Sequence, residues 1–270
     1  MAWTLCLFIG LCSGFLAGLF GVGGGTIIVP ALILAARPLG ISPDDAATVA
    51  MATSLAIVIP TSISSARAHA ARGAIDWNAF RRLAPGIAAG ALSGTLAACA
   101  LGGRLGLAAF IGLALFAAGR LLNLAGTAGE PDPAARPPGP PMPVRHSIAI
   151  GLLSALAGVG GGLLSVPLLA HHLPMKRAIG TAAALGLPLA VAGLAGTLLA
   201  GRPAHCAAGC IGSVFVPAVL AISLAAVASA PLGASLAHHL PVQLLRRALA
   251  ALLLLVSAEL SADLSAQLLR

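Results

Sequence analysis

The sequence predicts an all-α protein that crosses a membrane several times and is built from two four-segment halves. Three observations carry this. Of its 270 residues, 59% are hydrophobic and only 8% charged, with a mean hydropathy of +1.03. A soluble domain carries about 25% charged residues, so this chain has too few charges to cover a water-facing surface. Its apolar stretches are long and rich in Ala, Leu and Gly, which suits helices packed closely in lipid and not the ten-residue alternation of a barrel strand. Finally, G-V-G-G-G followed four residues later by V-P occurs twice: Gly21 to Gly25 with Val29-Pro30, and Gly158 to Gly162 with Val166-Pro167. The copies are offset by 158 − 21 = 137 residues.

Four glycines in five residues hold a helix poorly, because each costs about 1 kcal/mol relative to alanine. The first apolar segment, 3–36, is therefore broken at Gly21–Gly25. Three helices follow, at 45–66, 83–101 and 105–124. Thr53-Ser54 lies near the middle of the first of these, and Pro60 marks a kink in it. Between 66 and 83 runs a basic connection with Arg67, Arg72, Arg81 and Arg82, and Trp77 there reads as an interfacial anchor. Residues 1–125 form the first unit. Residues 126–143 are a linker, extended because seven of its eighteen residues are proline. Residues 144–270 repeat the plan: a broken segment at 147–172, then helices at 178–200, 211–229 and 244–264. Thr181 takes the place of Thr53, 128 residues on.

Each broken segment is either one bent crossing or a re-entrant pair of half-helices. The pieces of the first hold 18 and 11 residues, roughly 27 Å and 16 Å long, so length alone leaves both open. Charge separates them. Eight full crossings put nine Lys/Arg inside and six outside. Re-entry of the broken segments inverts one unit relative to the other, and the split becomes eleven (Arg67, Arg72, Arg81, Arg82, Arg120, Arg136, Arg145, Lys176, Arg177, Arg246, Arg247) against four (Arg37, Arg104, Arg202, Arg270). The positive-inside rule favours the inverted arrangement. The same rule accounts for the net charge of +8, so no nucleic-acid partner is expected.

A helix restarting after a glycine break leaves its first N–H groups unpaired at a partly positive end. Glycine lets a ligand approach that backbone closely. Two such ends meeting at mid-membrane would cradle an oxyanion, and a glycine break repeated in two halves points to a transporter binding site. The candidate substrate-binding residues are Gly21, Gly23, Gly24, Gly25, Thr26, Thr53 and Ser54 from the first unit, with Gly158, Gly160, Gly161, Gly162, Ser165 and Thr181 from the second. Pro30 and Pro167 read as structural kinks. The bland alternative is that the glycines only permit tight helix crossing, though a packing face would space them by four. Glu259 is a candidate proton-linked carboxylate by virtue of its apolar setting; the competing reading is that it snorkels to the interface.

No metal or cofactor is expected. His171-His172 and His238-His239 are adjacent pairs that diverge on a helix, and His205 with Cys206 and Cys210 lacks a fourth ligand. The five scattered cysteines read as small core residues, not as a disulfide framework. A phosphate loop would need a Lys after the glycines, but Thr26 and Leu163 stand there, so a nucleotide-using enzyme is not expected. A non-transporting membrane scaffold remains the rival; it would not need two matched breaks.

The paired G-x-G-G-G…V-P segments, Thr53-Ser54-Leu55, the turn Arg72-Gly73-Ala74-Ile75-Asp76-Trp77 and the proline-rich mid-loop together resemble the TauE/SafE family, also called the toluene sulfonate uptake permease family. The resemblance covers nearly the whole chain except the linker. It implies a secondary transporter of small anions such as sulfite or organosulfonates in the cytoplasmic (inner) membrane, coupled to an ion gradient, with proton or sodium as the coupling ion. The second unit departs from the pattern, because Ala182-Ala183 follow Thr181 where a serine would match Ser54.

Overall fold

A computed structural model describes residues 2–43, 45–126, 144–200 and 209–268. Residues 127–143, nearly all of the expected linker, and His205 and Cys206 lie outside the described residues. The chain is helical almost throughout. In order, the elements are α1 (Ala2–Phe20), α2 (Gly25–Leu34), α3 (Ala46–Ala70), α4 (Trp77–Leu101), α5 (Gly103–Gly126), α6 (Val144–Leu156), α7 (Gly162–Leu169), α8 (Met175–Ala200), β1 (Cys210–Ile211), β2 (Val214–Phe215), α9 (Val216–His239) and α10 (Val242–Leu268). Among the described residues, six helices (α1, α3, α4, α5, α8 and α9) are long and apolar enough to span a bilayer.

Glycine sets how these helices meet. Gly10, Gly14 and Gly18 of α1 lie against Ile222, Ala226 and Ala230 of α9. The two sets ascend together, so α1 and α9 run parallel. A Cβ on Gly10 would stand 2.6 Å from the Ile222 oxygen, closer than any real contact. Small residues four apart thus let the backbones touch, as lipid-embedded helices require. Gly90 and Gly94 of α4 meet Ile148 and Leu152 of α6 in the same manner, again in parallel. The helices α3 and α8, each with an internal proline (Pro60, Pro188), cross in opposite directions: Ser62 faces Gly186 and Leu55 faces Gly193.

Two hydrogen bonds tie the halves together in a reciprocal way. The backbone N–H of Phe215, at the start of α9, donates to the Thr53 hydroxyl of α3 at 2.9 Å. The backbone N–H of Asp76, at the start of α4, donates to the Thr181 hydroxyl of α8, also at 2.9 Å. Both donors sit three residues after a glycine of left-handed φ, Gly73 at 64° and Gly212 at 60°.

Several boundaries differ from expectation. Helix α4 starts at Trp77, not at residue 83, because the Asp76 carboxylate accepts from the Ala79 N–H at 2.9 Å and caps the first turn. Arg81 and Arg82 are therefore helical, not part of a loop. Helix α9 starts at 216 and runs on to His239, ten residues past the expected end. Its expected first residues instead form a two-stranded antiparallel hairpin, with Cys210 opposite Phe215 and Ile211 opposite Val214. The cysteine expectation also needs correction: Cys210 is disulfide-bonded. Cys6, Cys12 and Cys99 are free.

Candidate functional site at the crossed glycine breaks

The first break has a backbone that only glycine adopts freely. Gly21, Gly23 and Gly24 have φ of 68°, 70° and 78°, the left-handed region. Helix α2 then restarts at Gly25, with the N–H groups of Ile27 and Ile28 both donating to the Gly24 oxygen at 3.0 Å. Among the described residues, no backbone carbonyl accepts from the N–H of Gly25 or Thr26. The second break uses one left-handed residue, Gly158 at 66°, while Gly161 is already in right-handed helical conformation. Helix α7 restarts with Ser165 N–H bonded to the Gly161 oxygen at 3.1 Å. The N–H groups of Gly162 and Leu164 likewise have no backbone acceptor among the described residues.

The two breaks touch. A Cβ on Gly25 would stand 2.8 Å from the Gly160 nitrogen and 3.1 Å from the Val159 Cα. One on Gly162 would overlap the Gly21 oxygen and the Val22 Cα, and one on Gly160 would stand 3.0 Å from the Val22 oxygen. The contact sits at mid-height of the bundle. Val58 is the middle residue of α3, since (46 + 70)/2 = 58, and its Cγ1 lies against Gly23, Gly160 and Gly186.

Two of the hydroxyls without partners, those of Ser54 and Ser62, lie at this crossing. Ser54, Ser62 and Ser165 are fully buried, and the Oγ of each makes no hydrogen bond. Ser54 Oγ lies 3.1 Å from the Cβ position of Gly25, and Ser62 Oγ lies 3.6 Å from that of Gly23. A buried unsatisfied hydroxyl costs about 1–3 kcal/mol, and native structures keep few of them. Two such hydroxyls lie beside one glycine break.

The structure therefore gathers Gly21, Gly23, Gly25, Ser54, Gly160 and Gly162 around one point, while Gly24 faces Ser13 and Ala17 of α1 and Gly158 faces Met51 of α3. Thr26 follows as the second residue of α2 and is buried. Gly161 faces Leu185, Gly186 and Leu189 of α8, and Ser165 is the fourth residue of α7. Thr53 and Thr181 have their oxygens engaged by Phe215 and Asp76, which gives them a bracing role. Pro30 and Pro167 lie inside the short restarted helices. Glu259 is exposed on α10.

Two residues were missed by sequence reasoning, Ser62 and His69. The signal was present: Ser54, Ser62, Ser65 and His69, with Val58 filling the gap, recur every three or four residues, all of them buried. A polar stripe of this kind on a membrane helix faces protein, not lipid. A cleft of about 570 Å³ opens on the outer side of α3, between Pro60, Ile63, Ser64, Arg67 and Arg72 and the α9 residues Val227 and Pro231. It shares no lining residue with the crossed breaks.

An apolar helical bundle with interrupted helices meeting at its centre defines a multi-pass membrane transporter. Comparison with known proteins makes this specific. Residues 6–260 match the model of the family described as "Sulfite exporter TauE/SafE", and the chain belongs to that family. It is 32% identical over 259 residues to a "Probable membrane transporter protein" of Haemophilus influenzae, covering 94% of this chain and 96% of the relative. It is 28% identical over 252 residues to a probable membrane transporter protein of Methanocaldococcus jannaschii, covering 92% and 91%. A third relative, the probable membrane transporter protein YunE of Bacillus subtilis, is 28% identical over 67% of this chain and 72% of its own length. No solved structure matches the chain.

Proposed function

We propose that this protein is a secondary transporter that exports small anions such as sulfite or an organosulfonate across the cytoplasmic membrane, binding them at the crossed glycine breaks. The free N–H groups at the starts of α2 and α7 and the hydroxyls of Ser54 and Ser62 donate to the oxyanion. The observation that carries the reading is the coincidence of unpaired buried hydroxyls with helix starts that lack acceptors. Donation by backbone dipoles and neutral hydroxyls, with no Lys or Arg at the crossing among the described residues, suits a substrate that must leave again.

The two halves act as inverted repeats in this reading, and the helix directions support it. Helix α3 runs antiparallel to α8, its counterpart at an offset of 128. Helix α1 runs parallel to α9 and therefore to α3, since Thr53 meets Phe215 and Ser64 meets Val227 in ascending order. Two successive long helices that run the same way need a return between them, and α2 supplies it as a re-entrant piece. The packing pairs α1–α9 and α4–α6 exchange when the halves are exchanged. On this topology the ends of α3, α5 and α9 and the starts of α4, α6, α8 and α10 share the face that carries ten of the twelve Lys and Arg residues among those described, the cytoplasmic one. Cys210, which is disulfide-bonded, lies on the opposite face, where oxidation is favoured.

Flux of labelled sulfite and labelled methanesulfonate into reconstituted vesicles tests this. Each hydrogen bond to an anion contributes about 1.5–3 kcal/mol, so Ser54→Ala is expected to weaken apparent affinity about tenfold or more. Folded protein that moves neither these nor any other small anion, including carboxylates, would be a scaffold and would sink the proposal.

A further inference from the structure

His69 is a titratable side chain, 1% exposed, to which the anion site gives no role. Its Nε2 lies 2.9 Å from the carbonyl oxygen of Gly18. A carbonyl only accepts, so this nitrogen carries a hydrogen. Its Nδ1 lies 3.3 Å from Nε2 of His238, with ring centroids 5.4 Å apart. In neutral His69 the Nδ1 is then an acceptor, and His238 is the donor through Nε2–H. One arrangement of hydrogens satisfies both rings. An added proton enters on Nδ1 of His238, which is only partly buried, and neither hydrogen bond breaks. A second, on Nδ1 of His69, would set two N–H groups face to face. The pair therefore takes up one proton and no more.

Its position ties this proton to the glycine break. The last four carbonyls of α1 have no donor within the helix. Ala17 oxygen accepts from the Gly21 N–H at 2.8 Å, and Gly18 oxygen accepts from His69. The ring thus caps α1 three residues before Gly21. The groups facing the pair are Arg72 beyond α3, Lys176 on α8 and His239 on α9, with the Lys176 ammonium donating to the His238 carbonyl at 2.7 Å. Helix α1 brings no charged residue, and no carboxylate faces the pair among the described residues. An anion at the break is the charge that balances an added proton. The arrangement has no copy in the other half: at the offset that relates Thr53 to Thr181, His69 falls on Thr197, whose hydroxyl bonds Leu194 of its own helix.

We propose that the His69–His238 pair binds the proton that is coupled to anion movement. This rests on the transporter reading. His238 takes the proton from water at Nδ1 and returns it from the same atom, so no other reactant is consumed. Proton and anion attract each other, each favouring the other's binding, and they cross in the same direction, so export runs where the anion's own outward gradient exceeds the inward pull on the proton.

The test uses full-length protein in vesicles made alkaline inside, with labelled methanesulfonate as probe. Gln at 238 places an amide N–H where His238 Nε2 stood, so His238→Gln still donates to Nδ1 of His69 but has no nitrogen for the added proton. Wild type should accumulate the probe when a proton gradient is imposed. His238→Gln should lose at least about tenfold of that accumulation, yet keep counterflow, the exchange of labelled for unlabelled probe without a gradient. His238→Gln that keeps gradient-driven accumulation within about twofold of wild type would overturn the proposal, as would loss of counterflow in step with accumulation. His69→Gln is the control: its amide N–H holds the cap on Gly18, its oxygen accepts from His238 Nε2–H, and it should accumulate the probe as wild type does. Wild type with counterflow but no response to the gradient would remove the proton proposal alone. Wild type without counterflow for sulfite or methanesulfonate would remove the transporter reading beneath it.

Discussion

The substitution Gly162→Ala bears directly on the contact between the two breaks. Gly162 opens α7 with φ outside the left-handed region, so alanine meets no backbone strain there and gains up to about 1 kcal/mol of helix propensity. Its Cβ, however, would fall on the Gly21 oxygen and the Val22 Cα, well inside the 3.4–4 Å of ordinary contact. The two backbones must separate by about 1 Å, an overpacking that costs about 1–3 kcal/mol. The net loss of stability is then only about 0–2 kcal/mol, against a total of about 5–15 kcal/mol for a folded protein. The fold should survive. Transport should not, because an N–H moved by about 1 Å from a 2.9 Å contact no longer makes a hydrogen bond. With about 1.5–3 kcal/mol at stake per bond to an anion, flux should fall at least about tenfold. The assay is vesicle flux together with thermal melting in detergent. The comparison is Gly112→Ala on α5, where an added Cβ meets nothing within 4 Å; it should transport normally. Wild-type flux from Gly162→Ala would refute the assignment of the site to the crossed breaks.

Other expectations follow from the same geometry. Thr53→Val strands the buried Phe215 N–H and should cost about 1–3 kcal/mol in denaturant unfolding. Thr181→Val strands the less buried Asp76 N–H and should cost less; the reverse order would contradict the reciprocal bracing. Asp76→Ala removes the cap of α4 and should cost about 1 kcal/mol by thermal melting while leaving substrate affinity unchanged. Gly14→Leu should separate α1 from α9, since even a Cβ there overlaps Ala226; the overpacking should lower stability by about 1–3 kcal/mol or more in thermal melting, and unchanged melting would speak against the packing. A tag fused after Arg270 should be reached by a membrane-impermeant reagent in intact cells. Protection of that tag until lysis would reverse the topology.

Much of this was legible because glycine states its purpose locally. The doubled G-V-G-G-G named both breaks, and the offset of 128 between Thr53 and Thr181 picked out the two bracing hydroxyls. Their bracing contacts were not legible, since a hydroxyl in sequence does not show that a backbone N–H 162 or 105 residues away will donate to it. Ser62 was missed for a related reason. Its significance comes from facing Gly186 across an antiparallel helix crossing, and crossing partners are set by non-local packing. The start of α4 was a different kind of miss. Asp76 immediately before Trp77 is a cap signal, but the surrounding basic residues made the stretch look like a loop. Gly10, Gly14 and Gly18 carried the four-residue spacing of a packing face in plain view, overshadowed by the denser cluster that follows them.

The exchange of partners between the halves bears on how the chain is made. Helix α1 leaves the ribosome before the other described helices, yet the helix it lies against begins at Val216. Helix α4 waits for α6, and the Thr53 hydroxyl waits for Phe215. The first half thus enters the bilayer with its tightest glycine faces uncovered and cannot reach its final arrangement until most of the second half has been synthesised. Chains cut between residues 127 and 143 should consequently assemble when both pieces are produced together, and each piece alone should be recognised as unfinished and degraded.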